Sequence, residues 1–329
     1  MKQKKFIITI AMVLFVVPRA GAQSAGTSVF DFLSLPTSAH SMALGGQNVS
    51  LIDDDACLIF QNPALMSDSN DPAIALSFLT YMRGSKAGSA SWTMGHGERG
   101  TWGVGAQFVS YGSMKETTVE GIEMGNFSAL DMAITGGYSY TLTEHLAGGA
   151  TGKFIYSNYG GYSSVALAVD LGLNYYNEDA DFSVSAVAAN LGGQVKAFGD
   201  KHEKLPYDLR VGLTKRLANA PIRFSVTLVD LTRWCASDYY STDGDPKAGR
   251  ILLNHFVLGI DVIPIKQLYI SAGYNFRRAY EMKAAGGSHA AGLSFGAGLN
   301  IKKFHLGLAY AKYHLSSPSF MVTAQYNLK

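Results

Sequence analysis

From about residue 73 to the end, the sequence alternates bulky apolar residues with small or polar ones, in runs of about ten. Successive side chains of a strand point to opposite faces, so this period of two specifies strands with one apolar face. In "SVALAVDLGLNYY", Val165, Leu167, Val169, Leu171, Leu173 and Tyr175 share a face, opposite Ala166, Ala168, Asp170, Gly172 and Asn174. "IRFSVTL" sets Ile222, Phe224, Val226 and Leu228 against Arg223, Ser225 and Thr227. "AGLSFGAGLNI" sets Ala291, Leu293, Phe295, Ala297, Leu299 and Ile301 against Gly292, Ser294, Gly296, Gly298 and Asn300. Strands of globular sandwiches usually run about 5–6 residues, whereas about 10 suit a tilted crossing of bilayer hydrocarbon. The apolar face then meets lipid and the small or polar face lines a lumen.

Fourteen such segments are expected, at 73–82, 88–95, 101–110, 127–142, 146–157, 164–176, 181–192, 207–216, 222–232, 251–263, 268–277, 288–301, 304–314 and 319–329. Connections after even-numbered segments are short, at most the five residues of 96–100 or 217–221. Every long connection follows an odd-numbered one: 111–126, 193–206, 233–250 and 278–287. Outer-membrane barrels have short periplasmic turns and long external loops, and an even strand count returns both ends to the periplasmic side. Composition agrees. Only 16% of residues are charged, Gly numbers 36, Tyr 18 and Phe 17, against about 25% charged in an average globular chain. The expected fold is an all-β, 14-stranded antiparallel transmembrane β-barrel. The last segment keeps its alternation at Phe320, Val322, Ala324, Tyr326 and Leu328, but the chain ends on Lys329 rather than an aromatic residue.

Residues 1–22 read as a signal peptide: Lys2, Lys4 and Lys5, an apolar stretch from Phe6 to Val17, then Ala20-Gly21-Ala22. Without Lys2, Lys4, Lys5 and Arg19, the 27 basic residues fall to 23 against 25 acidic ones. That near-neutral balance argues against a nucleic-acid partner. Cys57 and Cys235 lie far apart in sequence, and an exported chain permits a disulfide without requiring one.

Residues 23–72 alternate poorly, yet carry Phe30, Phe32, Leu33, Leu44, Leu58, Ile59, Phe60, Leu65 and Met66. A lumen of 14 strands leaves space that wall side chains alone do not fill, so this segment is expected as an N-terminal plug (hatch), with 73–329 forming the barrel. Within it, "DDDACLIFQNPALM" opens on Asp53, Asp54 and Asp55 and contains Asn62-Pro63. Consecutive carboxylates usually form a solvated face. Inside a lumen they pair with wall cations, for which Lys153, Arg210, Arg223 and Arg277 are the candidates.

Other motifs carry less. "GHGERG", Gly95 to Gly100, has dinucleotide-loop spacing but precedes a strand, so it reads as a turn. The eight histidines show no zinc spacing, and no nucleophile elbow occurs. No catalytic residues, cofactor or metal are assigned, and no enzyme activity is expected. His145 reads as a solvated turn residue, and His255 and His289 as strand residues at the rim or in the lumen. The loop "RWCASDYYSTDGDPKAGR" offers Trp234, Tyr239 and Tyr240 as a partner-contact surface. Calcium held by Asp243 and Asp245, or a plain hydrated loop, are the alternatives.

"ALGGQNVSLIDDDACLIFQNPALM", Ala43 to Met66, resembles the N-terminal hatch of the FadL-type outer-membrane barrels. The elements that carry the likeness are Gly45-Gly46, Asp54-Asp55-Ala56 and Asn62-Pro63-Ala64. "SVFDFLSLPTSAHSMALGG", Ser28 to Gly46, is similar to one branch, the PorV/PorQ proteins of the Bacteroidetes type IX secretion system, with PorQ nearest. That resemblance implies an outer-membrane scaffold in the cell-surface attachment complex. The implied partners are other type IX secretion proteins (PorZ, PorU, PorV-like) and lipopolysaccharide. The other branch implies transport of long-chain fatty acids or other hydrophobic solutes.

Overall fold

The structure is a computed structural model. It describes residues 28–68, 71–82, 84–118, 122–241, 246–284, 286, 288–314 and 317–328. The expected signal peptide, Asp243 and Asp245 therefore lie outside the described residues. The strands are β1 (Ala73–Thr80), β2 (Lys86–His96), β3 (Gly100–Thr117), β4 (Glu123–Thr143) and β5 (Leu146–Tyr159). They continue as β6 (Tyr162–Asn177), β7 (Phe182–Lys196), β8 (Asp208–Arg216), β9 (Ile222–Leu228) and β10 (Phe256–Ile265). The last are β11 (Leu268–Asn275), β12 (Leu293–Ile301), β13 (Phe304–Ala311) and β14 (Ser319–Asn327). Each pairs antiparallel with its sequence neighbours, and β14 closes on β1 from Ala73↔Asn327 to Thr80↔Phe320.

The faces are inverted relative to a water-soluble sheet. On β6, Leu167 and Leu171 are 53% and 49% exposed, while Asp170 and Asn174 are each 2% exposed on the inner face. Phe224 and Phe295 likewise point out, and Ser225, Thr227 and Ser294 point in. This is the alternation expected of a barrel wall with an apolar exterior.

The wall is uneven in height. β3 to β7 run 14 to 21 residues, whereas β8 to β14 run 7 to 10. Much of the expected 111–126 loop is therefore strand. Its polar residues sit beyond the apolar band and face solvent on both sides, so no apolar alternation marks them. The expected loop 158–163 shrinks to the turn Gly160-Gly161, a common two-residue hairpin pair.

On the low side, helices replace expected strand. Residues 251–254 belong to helix α2 (Ala248–Asn254), and α3 (Phe276–Ala284) starts where β11 was expected to finish. Strand β9 stops at Leu228, ahead of Asp230, which adopts the left-handed conformation at φ 56°. His255 caps α2 and His289 opens a 3-10 turn with Ala291, so neither histidine lies in a strand. His145 is an exposed turn residue, and Gly97 to Arg99 form the turn within "GHGERG".

Residues 28–68 fill the interior. Phe30, Met42, Leu44, Val49, Leu51, Ile59 and Leu65 are each no more than 4% exposed. Wall side chains satisfy backbone groups of this irregular segment, as burial requires. Thr323 accepts from Ala39 N (2.8 Å) and Gln325 from Ala56 N (2.8 Å). Ser89 donates to Thr37 O (2.8 Å) and Ser294 to Ala43 O (2.9 Å).

Candidate functional site

Local chemistry shapes the interior segment. Ser38 caps the short helix α1 (Ala39–Ala43) by accepting from Ser41 N. The chain leaves it through Gly45 and Gly46 at φ 104° and 101°, a region closed to most side chains. Asp55 caps the 3-10 turn Ala56–Phe60, accepting from Cys57 N at 2.8 Å. Asn62 is fully buried; its amide donates to Val49 O at 2.8 Å and its oxygen accepts from Ala64 N at 3.0 Å. Pro63 follows at the start of the next turn.

The segment seats against wall glycines. A Cβ at Gly149 on β5 would stand 2.5 Å from the Pro63 carbonyl carbon. At Gly296 on β12 it would stand 2.6 Å from Ala43 Cβ, and at Gly212 on β8 2.8 Å from Ser50 Oγ. Gly103 on β3 meets Met66, Gly172 on β6 meets Asn62, and Gly273 on β11 meets Gly45. All six lie within about five residues of the short turns. They form a belt in that half of the barrel where the segment packs closely on the wall, with its backbone directly against the strand at Gly149 and Gly273.

Beside this belt sits a charged centre. His40 Nδ1 is 2.8 Å from Asp53 Oδ2, and Nε2 is 3.0 Å from Asp261 Oδ1 on β10. Both ring nitrogens thus face carboxylates, which only an imidazolium satisfies by donating twice. Tyr269 stacks on the ring at 4.0 Å. Arg223 on β9 bonds Asp261 at 2.8 Å and stands 4.0 Å from Asp53. Burial pulls the His40 pKa down, but Asp261 and then Asp53 outweigh it and raise it to about 9. Burial pushes Asp53 up, and His40 and Arg223 overcome that to hold it below the usual carboxylate range. For Asp55 burial outweighs the hydrogen bonds from Cys57 and Ser38, and its pKa is raised.

The three adjacent acids therefore have three environments. Asp53 joins the ionic centre and Asp55 caps a turn. Asp54 accepts from the Asn327 amide and lies 4.0 Å from His305 Nε2. Of the four expected wall cations, Arg223 reaches these acids. The other three pair elsewhere: Lys153 with Asp170 (2.6 Å), Arg210 with Asp208 (2.7 Å), and Arg277 with Asp230 (2.6 Å) and Glu281 (2.9 Å). Neither His40 nor Asp261 stood out in the sequence. His40 had no spacing partner, and Asp261 alternates as an ordinary lumen residue.

At the long-loop end, Trp234 and Tyr240 are 53% and 54% exposed, whereas Tyr239 is buried. Tyr239 donates to Arg233 O at 2.8 Å and lies beneath Arg277. Trp234 packs on His255 at 4.1 Å. Cys235 is exposed, Cys57 is buried, and both are free thiols. A cavity of about 310 Å³ opens between the interior segment and the tall wall, with Phe30, Tyr81, Tyr111, Tyr159 and Phe198 among its lining. The space beside His40 is far smaller, about 30 Å³.

At the sequence level, no family model and no curated protein matches the chain. Solved structures do. The toluene transporter TodX of Pseudomonas putida superposes with a TM-score of 0.57 at 15% identity, covering 91% of this chain and 98% of that one. The monoaromatic hydrocarbon channel CymD gives 0.57 at 13% identity, over 91% and 99%. A FadL homologue of Pseudomonas aeruginosa gives 0.53 at 11% identity, over 89% and 98%. At these identities the likeness concerns the fold, which is that of the FadL-type outer-membrane channels.

Proposed function

We propose that this chain is an outer-membrane barrel that serves as a sealed scaffold in a type IX secretion attachment complex. In this reading the short turns are periplasmic and the long loops external. Its partners are PorZ-, PorU- and PorV-like proteins and lipopolysaccharide. The resemblance of Ser28–Gly46 points to the system, and that of Ala43–Met66 to the wider FadL-type barrels. The seating of the interior segment on wall glycines supports the sealed part. Close packing of the segment on wall glycines in that half of the barrel leaves the long-loop end, with Trp234 and Tyr240 outward, as the working surface. The test is deletion of the gene followed by assay of surface-attached cargo. Loss of attachment is expected, with co-purification of secretion proteins on the intact barrel. Intact attachment refutes the proposal.

A second reading, passage of hydrophobic solutes, has its own support. The 310 Å³ aromatic cavity lies at the end where a solute would enter, and two similar folds are hydrocarbon channels. The same deletion separates the readings. Slowed uptake of fatty acids or aromatic hydrocarbons, with cargo attachment unchanged, favours the channel.

A further inference from the structure

We propose that the cavity at the long-loop end is a binding site for a small organic cation, its positive head drawn by Asp131. Asp131 lies on β4, faces inward and is 1% exposed. Its Oδ1 accepts from the Ser157 hydroxyl and from Tyr159 (2.7 Å). Its Oδ2 accepts from Tyr111 (2.8 Å) and Tyr159 (2.8 Å). All three donors are neutral. Among the described residues, Asp131 forms no ion pair, whereas the inward carboxylates of Asp170, Asp208 and Asp261 each hold a cation.

Hydrogen bonds from hydroxyls solvate a carboxylate without cancelling its charge. In a low-dielectric wall the field of that charge extends into the adjoining space. The cavity lining brings a second carboxylate, the exposed Asp31, and among the described residues includes no Lys or Arg. Aromatic rings run around it in sequence: Phe30 to Phe198 at 6.3 Å, Phe198 to Tyr159 at 5.1 Å, Tyr159 to Tyr111 at 6.1 Å. Ring faces attract cations, most strongly where water is displaced, and quaternary ammonium groups are the usual guests of such surroundings. The volume matches the lower end of ligand pockets, about 300 Å³. The same field repels anions, so a carboxylate-headed solute is disfavoured here. The inference stands apart from both functional readings, since neither needs a cation.

The test uses the full chain refolded in a neutral detergent. Three probes of one shape are titrated by calorimetry: choline, its uncharged carbon isostere neohexyl alcohol, and the tert-butylacetate anion. Choline is expected to bind at least about tenfold tighter than the alcohol, a preference of about 1.4 kcal/mol, and the anion is expected not to compete. Asp131→Asn should abolish that preference. Phe198→Ala should weaken choline while keeping its advantage. Equal binding of choline and the alcohol overturns the proposal, as does absence of saturable choline binding, or a preference that survives in Asp131→Asn. If Asp131→Asn fails to fold, Phe198→Ala decides: unchanged choline affinity places the ligand elsewhere and overturns the assignment.

Discussion

Replacing His40 with glutamine tests the ionic centre most directly. A glutamine amide can donate to Asp53 or to Asp261, but it brings no charge. Two routes give the size of the loss. Raising the histidine pKa from 6.5 to about 9 corresponds to about 3 kcal/mol in favour of the charged, seated form. Removing one partner of a buried ion pair costs about 3–5 kcal/mol. The lower figure is the better guide, because the Asp53 side chain is 27% exposed and its share is screened. The sign with pH follows from the direction of the shift. The folded pKa lies above the unfolded one, so the contribution is complete below about 6.5 and is lost as pH rises through about 9. Amide exchange of residues 38–62 in the refolded barrel, read by mass spectrometry, reports opening of the segment. At pH 6, His40→Gln should lose about a hundredfold in protection. At pH 10 the two proteins should converge. Equal protection at pH 6, or a gap that persists unchanged at pH 10, refutes the reasoning.

Two further outcomes follow from the geometry. Gly149→Ala places a methyl carbon against Pro63 and should destabilise the seated segment by about 1–3 kcal/mol. Leakage of small sugars in liposome swelling should rise with it, while outward-facing Gly152→Ala, with nothing within 4 Å, should change neither. The three acids should separate under substitution by asparagine. Asp53→Asn should cost about 1.5–3 kcal/mol, the worth of a charged hydrogen bond. Asp55→Asn should be nearly neutral, since asparagine caps as well as aspartate. Urea titrations of the single variants check this order, and equal losses would count against the division of roles.

The barrel was legible because its rules are local. A strand that crosses lipid must alternate, and β6 alternates through Val165 to Tyr175 without a break. Connection lengths then gave parity, which neither propensity nor composition supplies. The errors have two causes. Beyond the lipid band the outward face need not be apolar, so β3, β4 and β7 continue where the alternation fades. On the other side, "ILLNHFVLGI" is apolar through both helix and strand, and period alone does not mark where α2 yields to β10. The expected strand therefore starts at residue 251, five residues ahead of β10.

The interior was legible in kind but not in pairing, for a reason specific to closed barrels. Which wall residue stands opposite a given plug residue depends on the stagger of all fourteen strands together. Asp53, Asp54 and Asp55 looked like one charge cluster, and Lys153, Arg210, Arg223 and Arg277 like its counterpart. Closure sets Arg223 beside Asp53 and leaves Lys153, Arg210 and Arg277 with acids of their own. The consequence bears on function. A segment held only by exposed acids on mobile cations would be free to swing, since such contacts contribute about 0–1 kcal/mol each. Here an imidazolium is locked between two carboxylates, and the residues on either side pack closely against wall glycines. Movement of the segment must break both at once. A solute pathway through the short-turn half is therefore costly at neutral pH, whereas the loops and cavity at the opposite end can bind without disturbing it.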